Sequence, residues 1–353
     1  MSQAATMKAA FVERLGSAED IRVGALPVPR PAADEVLVKV EATAVNPVDT
    51  LIRSGAYRTP LPGFPFVIGR DAVGEVVEAG AAVGDRFPPG VKVWTNCLGY
   101  DGRQGAAAEY AVVPMDRLYR VPELGNAGTS GPASGSAGRY DPVAIVAALH
   151  PAATAYLALV RHAGGVGPGD VVVVGGAAGN VGTCVSQLAA SYGARVIALA
   201  RREDAAWCEE HGAHAVVDYR APAVQLADEL RTAAPGGVNV WVDTSGRIDF
   251  SLAIDAMADR GAIVTLAARP ADYPPAELPV TAFYRKSLRL VGFVITTATT
   301  AELTSAAKAL NAQLEKGELD VRIGEVLPLE QATEAHRLVE SGVRGRVVLS
   351  IGG

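Results

Sequence analysis

The sequence predicts a two-domain α/β protein in which a doubly wound parallel sheet is accompanied by a separate β-rich domain. Three observations lead there. At 353 residues the chain exceeds what one ordinary core accommodates. From Met7 to about Pro122, short β-type runs alternate with Gly and Pro and show no strand-helix-strand rhythm. From Pro142 to about Val294, helical patterns alternate with fully apolar strands, the grammar of a parallel sheet covered on both faces.

The strand candidates of the first region are Lys8–Glu13, Glu35–Ala44, Ala72–Glu78, Lys92–Thr95 and Ala107–Val113. After Leu124, the run from Gly125 to Gly138 has almost nothing to bury and reads as a surface loop or linker. An apolar helix, Val143–Arg161, then leads through Gly-Pro-Gly-Asp to the strand Val171–Val174, the helix Val181–Tyr192 and the strand Arg195–Ala200. A second round gives helix Asp204–His211, strand Ala215–Val217, helix Val224–Thr232, strand Val238–Val242, helix Phe250–Met257, and strands Ala262–Leu266 and Leu288–Ile295. The tail, a helix over Thr300–Lys316 and then short strands to Ile351, has no βαβ unit and is expected to return to the first domain. The expected division is therefore 1–142 with 298–353 for the β-rich domain and 143–297 for the doubly wound one, with a cleft between them.

Composition narrows the function classes. Hydrophobic residues at 49% and charged residues at 20% are globular proportions. A net charge of −6 argues against a nucleic-acid face. No apolar run is expected to reach membrane-spanning length, and Met1–Ala10 lacks a signal-peptide pattern, so the expected compartment is the cytoplasm. Cys97, Cys184 and Cys208 are too scattered for a disulfide framework or a four-thiolate zinc site, and the five histidines show no ligand spacing.

Chemistry enters at Gly175–Gly182. A buried strand runs into Gly176, Ala177, Ala178, Gly179, Asn180, Val181 and Gly182 and then into a helix. Small residues there let backbone approach a pyrophosphate, and a helix N-terminus supplies free N–H groups, so the segment reads as a dinucleotide site. The next strand ends on Arg201 and Arg202, where an NAD site would carry an acid for the ribose 2′-hydroxyl. Guanidinium suits a 2′-phosphate, which points to NADPH; the alternative is a solvated charge pair, because Glu203 and Asp204 follow.

With these residues in place, the chain resembles the medium-chain dehydrogenase/reductase superfamily, in its zeta-crystallin-like quinone oxidoreductase branch. Asn46-Pro47-Val48-Asp49, Arg53-Ser54-Gly55-Ala56-Tyr57 and Phe66–Val76 are similar to that branch's active-site segment and the strand after it, and Ala153–Tyr156 to a helix segment at the nicotinamide ribose. The resemblance implies a Rossmann domain plus a co-chaperonin-like β-barrel catalytic domain. It also implies catalytic roles for Asn46, whose amide would hold the substrate, and for Tyr57, which would hydrogen-bond a carbonyl or relay a proton. Cofactor contacts are implied for Thr154, Tyr219, Ser245, Ala267, Phe293 and Ile295. Zinc-dependent relatives carry Cys where this chain has Asn46, and Gly-His-Glu where it has Gly69-Arg70-Asp71, so no metal is expected. Without a Lewis acid the expected reaction is hydride transfer from NADPH to a quinone or enone. Two alternatives remain: an enoyl-thioester or alkenal reductase, for which Arg285, Lys286 and Arg289 would form a basic groove, and an NADPH-binding structural or regulatory protein. Homodimerisation through the edge strand Leu288–Ile295 is expected.

Overall fold

The computed structural model describes residues 5–123, 140–268 and 272–352. The run Gly125–Gly138, expected as a loop, lies outside them. The chain divides into two compact units, Met1–His150 with Leu303–Gly353, and Pro151–Glu302.

The first unit opens with β1 (Thr6–Val12), β2 (Ile21–Pro27) and the long β3 (Glu35–Val45), followed by helix α1 (Pro47–Ser54), which the β-only reading of this region lacked. Strands β4 (Phe66–Val67), β5 (Ala72–Ala79), β6 (Lys92–Thr95), β7 (Tyr110–Pro114) and β8 (Tyr119–Arg120) complete its N-terminal part. Strand β1 pairs antiparallel with β2 and β4, and Met7, Ala9, Phe11, Val67 and Ala108 form a small core there. β3 is the spine of the larger sheet, antiparallel to both β5 and β7.

Helix α2 (Pro142–Tyr156) begins where Asp141 accepts the N–H groups of Val143 and Ala144, with Pro142 in the first turn where a missing N–H costs nothing. Its continuation, Leu157–His162, winds as a π-helix. Contrary to expectation, the combined helix Pro142–His162 is long and apolar enough, at 21 residues, to cross a membrane by length and composition; its most apolar window is 72% buried inside the fold, as in a core helix. The misjudgement came from scoring short runs rather than the whole helix, in which His150 and Pro151 interrupt the apolar residues without ending the turn.

The second unit runs β9 (Val171–Gly175), α3 (Asn180–Ser191), β10 (Arg195–Ala200), α4 (Ala205–Glu210), β11 (Ala215–Asp218), α5 (Ala223–Ala233), β12 (Val238–Asp243), α6 (Phe250–Ala256), β13 (Met257–Thr265), α7 (Val280–Arg285) and β14 (Arg289–Gly292). All strand pairs are parallel, in the order β11-β10-β9-β12-β13-β14. The order reverses beside β9, the first strand, so the crevice at its carboxyl end is where this architecture receives ligands. Valines 172 to 174 are fully buried, as a central strand covered on both faces requires. β14 is shorter than the strand expected over Leu288–Ile295: pairing with β13 ends at Thr265 and Gly292, and the chain then turns into a 3-10 helix at Ile295–Thr297.

The return to the first unit uses α8 (Thr300–Lys316), β15 (Ile323–Pro328), α9 (Ala332–Glu340) and β16 (Arg346–Ser350). β16 pairs antiparallel with β3, closing the order β15-β16-β3-β5-β6-β8. Helix α9 was expected as strand, yet Ala332, Ala335, His336 and Val339 recur at helical spacing and are turned inward, while Glu334, Arg337 and Glu340 are exposed.

Candidate functional site

The glycine turn is built as the spacing anticipates. Gly176 leaves β9 with φ of +74°, and a Cβ there would stand 2.8 Å from the Thr244 hydroxyl oxygen. That hydroxyl donates to the Gly175 carbonyl at 2.8 Å, tying the turn to the end of β12. Gly182, in the first turn of α3, is packed so closely that a Cβ would lie 2.2 Å from the Gly176 carbonyl oxygen and 2.7 Å from the Ala177 Cα. Only glycine brings the helix N-terminus this near the strand end. Ala177 is buried, Ala178, Asn180 and Val181 are half-buried and Gly179 is exposed, so the open side of the turn presents backbone at the start of a twelve-residue helix.

Around it, Asp243 ends β12, and its Oδ1 accepts the Ser245 backbone N–H at 3.1 Å and hydroxyl at 2.7 Å. Ala267 is half-buried two residues past β13. Phe293 stacks on His162 with centroids 4.1 Å apart, and Ile295 and Thr154 are buried.

At the tip of β10 the two arginines are not bare charges. Arg201 meets Asp204 through Nε at 3.1 Å and Nη2 at 3.0 Å, and meets Glu203 at 3.5 Å. The Arg202 side chain is exposed, while its N–H donates to Asp218 at 3.4 Å. β11 lies alongside, Asp218 opposite Ala200, and brings up a third guanidinium that sequence reading passed over. Arg220 donates to Glu203 Oε2 at 2.7 Å and to Asp218 Oδ1 at 3.3 Å. The Arg220 backbone N–H, donating at 3.0 Å, and then its guanidinium hold the Asp218 carboxyl below its ordinary range. Tyr219 is 43% exposed beside them. Position, two residues past Asp218 at a neighbouring strand tip, is the signal that would have found Arg220.

In the first unit, Asn46 precedes α1, whose first residue is Pro47. The Asp49 carboxylate accepts the Asn46 backbone N–H at 2.8 Å and its side-chain Nδ2 at 3.1 Å, so Asn-Pro-Val-Asp is first of all a helix-start motif. Gly55, at φ of +81°, ends the helix and turns the chain toward Tyr57. Asn46 Nδ2 also donates to Asp71 Oδ2 at 2.9 Å, and its Oδ1 accepts from Arg346 Nη2 at 2.8 Å. Asn46 is fully buried with both ends of its amide engaged inside the protein, so the expected direct hold on a substrate does not follow; it is a hub that joins Asp49, Asp71 and Arg346.

Asp71 and Arg70 are fully buried as well. Burial pushes the Asp71 carboxyl up to about 7, against the pull of Arg346, whose Nη2 stands 3.7 Å away. His150 Nδ1 lies 3.8 Å from Asp71 Oδ1, and burial holds that imidazole neutral, well below its usual range. Arg70 lies over the Tyr100 ring at 4.0 Å, with Arg103 on the same ring at 4.7 Å. Among the described residues, no group of three or more His, Cys, Asp or Glu could hold a metal ion. Tyr57 is half-buried, and its backbone N–H donates to the Leu51 carbonyl at 2.9 Å.

Two of the three cations considered for a phosphate groove are spent structurally. Lys286 Nζ donates to the carbonyls of Ile254, Asp255 and Met257 at 2.8, 3.0 and 2.8 Å, capping α6. Arg289 donates to the Ala163 carbonyl.

Residues 32–123 match the alcohol dehydrogenase GroES-like domain, and residues 180–311 the zinc-binding dehydrogenase family. The chain is 30% identical over 348 residues to a quinone oxidoreductase of Sus scrofa, covering 97% of each. Its fold is similar to that of an NAD-dependent alcohol dehydrogenase, at 30% identity and TM-score 0.81, covering 98% of this chain and 100% of that one. It is also similar to a mycobacterial protein complexed with NADPH, at 28% identity and TM-score 0.78, covering 98% and 99%.

Proposed function

This chain belongs to the quinone oxidoreductase branch of the medium-chain dehydrogenase/reductase family, and from that premise we propose that it is an NADPH-dependent oxidoreductase acting on a quinone or similar conjugated carbonyl without zinc. The observation that carries the reading is the cradle at Gly176–Gly182, where two positions admit no Cβ and the backbone opens on a helix N-terminus. Its N–H groups would hold the pyrophosphate. Arg201 and Arg202 would face the 2′-phosphate with Tyr219 beside them, and Thr154, Ser245, Ala267, Phe293 and Ile295 would line the rest of the cofactor. NADPH, when bound, supplies the hydride.

Zinc does not fit the residues present. Where zinc relatives carry Cys, this chain has the Asn46 amide, already shared among Asp49, Asp71 and Arg346. Where they carry His, it has the fully buried Arg70. A divalent cation beside two buried guanidiniums would meet like charge with little screening. Asn46 is then a positioning residue that fixes the start of α1, and Tyr57, three residues past the end of that helix at Ser54, offers its hydroxyl to a substrate carbonyl.

The thioester alternative loses support with Lys286 and Arg289, both committed to backbone carbonyls. Dimer formation through β14 remains part of the proposal; the strand is a sheet edge and Leu290 on it is exposed. The deciding experiment is steady-state oxidation of NADPH against quinones, enones and enoyl thioesters, with metal content measured on the same sample. Turnover with quinones or enones is expected. No turnover with any acceptor would favour a structural or regulatory NADPH binder, and turnover that a chelator abolishes would overturn the zinc-free reading.

A further inference from the structure

The charges at the tips of β10 and β11 balance within themselves. Arg201, Arg202 and Arg220 stand against Glu203, Asp204 and Asp218. Two of those acids have fixed structural work. Asp204 is buried and grips Arg201, and Asp218 ends β11 and accepts the N–H groups of Arg202 and Arg220. Glu203 differs. Its side chain is half exposed, and its two oxygens reach toward two guanidiniums from different strand tips, Oε1 at 3.5 Å from Arg201 Nε and Oε2 at 2.7 Å from Arg220 Nη2. A carboxylate placed between two arginines occupies the kind of position that a phosphate monoester would take.

We propose that Glu203 is a specificity-determining residue, an internal anion that holds Arg201 and Arg220 together and competes with the 2′-phosphate for them. This deepens the NADPH reading above and rests on it. A phosphate arriving at the tip must displace Glu203 or share its arginines, so part of its binding energy is offset. A 2′-hydroxyl leaves the Glu203 pairs in place. Glu203 therefore narrows the preference for NADPH over NADH without touching the pyrophosphate cradle.

The test is Glu203→Gln, which keeps the side chain's size and removes its charge, with affinities for NADPH, NADH and adenosine 2′,5′-bisphosphate measured by calorimetry. Exposed ion pairs of this kind are individually weak, so NADPH and the bisphosphate should bind about two- to fivefold tighter, with NADH unchanged and the gain shrinking at high salt. Glu209→Gln, an exposed acid on the adjoining helix α4, controls for net charge alone. An unchanged NADPH affinity, an equal gain for NADH, or the same gain in the Glu209 variant would overturn the proposal. The reading beneath it is judged separately by Arg201→Ala with Arg202→Ala. If that pair weakens NADPH at least about tenfold relative to NADH while Glu203→Gln does nothing, only the role of Glu203 fails. If the pair spares NADPH, the 2′-phosphate does not lie at this tip and both fail.

Discussion

Replacing Arg346 by Met should destabilise the protein by an amount that grows with pH. The guanidinium donates to Asn46 Oδ1 at 2.8 Å and stands 3.7 Å from Asp71 Oδ2, and all three residues are almost wholly out of contact with solvent. Below pH 7 the Asp71 carboxyl, pushed up to about 7, already holds a proton, so the variant loses mainly a buried, charge-assisted hydrogen bond, about 1.5–3 kcal/mol. Above pH 7 the parent ionises Asp71 against Arg346. In the variant the carboxyl's range rises further, so the folded variant keeps a proton that the folded parent has released. The added loss reaches about 1.4 kcal/mol per pH unit, roughly 2 kcal/mol at pH 8.5. The total of about 3.5–5 kcal/mol falls within what breaking one side of a buried ion pair typically costs. Urea unfolding at pH 6 and pH 8.5 measures it, and Asp71→Asn added to Arg346→Met should remove the pH dependence. A loss under about 1 kcal/mol at pH 8.5, or one equal at both pH values, would refute the assignment of Arg346 as the counter-charge.

Gly182→Ala should cost about 1–3 kcal/mol by overpacking and weaken NADPH and NADH alike, because its Cβ would meet the Gly176 carbonyl and the cradle must shift; calorimetric affinity equal to the parent's for both cofactors would show that the turn has room. Lys286→Met should cost about 1.5–3 kcal/mol, since three carbonyls at the end of α6 lose an ammonium donor, and an unchanged urea midpoint would contradict that capping role. His336, buried beside Arg53 and lowered to about 3 by burial, stays neutral in the fold while the unfolded chain takes up a proton near pH 6.5. Its contribution is therefore lost as pH falls from about 6.5 toward 3, and His336→Gln should gain about 2 kcal/mol on the parent between pH 7.5 and pH 5; parallel stability curves for the two proteins across that range would dismiss it.

How much of this was readable beforehand depends on the distance over which each feature is encoded. The parallel sheet and its cradle were legible because strand, turn and helix are adjacent in sequence: Val171–Val174 sets the buried strand, and the glycines follow within a few residues. The arginines at Arg201 and Arg202 were legible for the same reason. Their partner Arg220 was not, because it belongs to the next strand tip and meets Glu203 only when β10 and β11 pair. Lys286 looked like part of a basic groove because nothing near it in sequence announces that its ammonium ends under α6. Helix α9 was missed for a different cause: it is a nine-residue element set between two strands, too short to stand out although its inward positions Ala332, Ala335, His336 and Val339 keep a helical spacing.

Asn46 shows where residue type and role part company. Its place in Asn-Pro-Val-Asp marked it as a site residue, and locally the motif explains itself: Pro47 starts α1 and Asp49 receives the Asn46 N–H. What the amide does beyond that depends on Arg346, 300 residues further along and delivered by β16 when that strand pairs with β3. The last sequence segment of the chain thus supplies the cation that balances Asp71 and occupies Asn46. A buried carboxylate without such a cation would hold its proton or leave the core, so the return of the C-terminal segment is as much an electrostatic requirement of the Asn46 region as it is a pairing of strand edges. Truncating β16 would for that reason remove more than one strand's hydrogen bonds: it would take away the strongest cationic influence on Asp71 and leave Arg70 as the weaker one, with Asp49 opposing it.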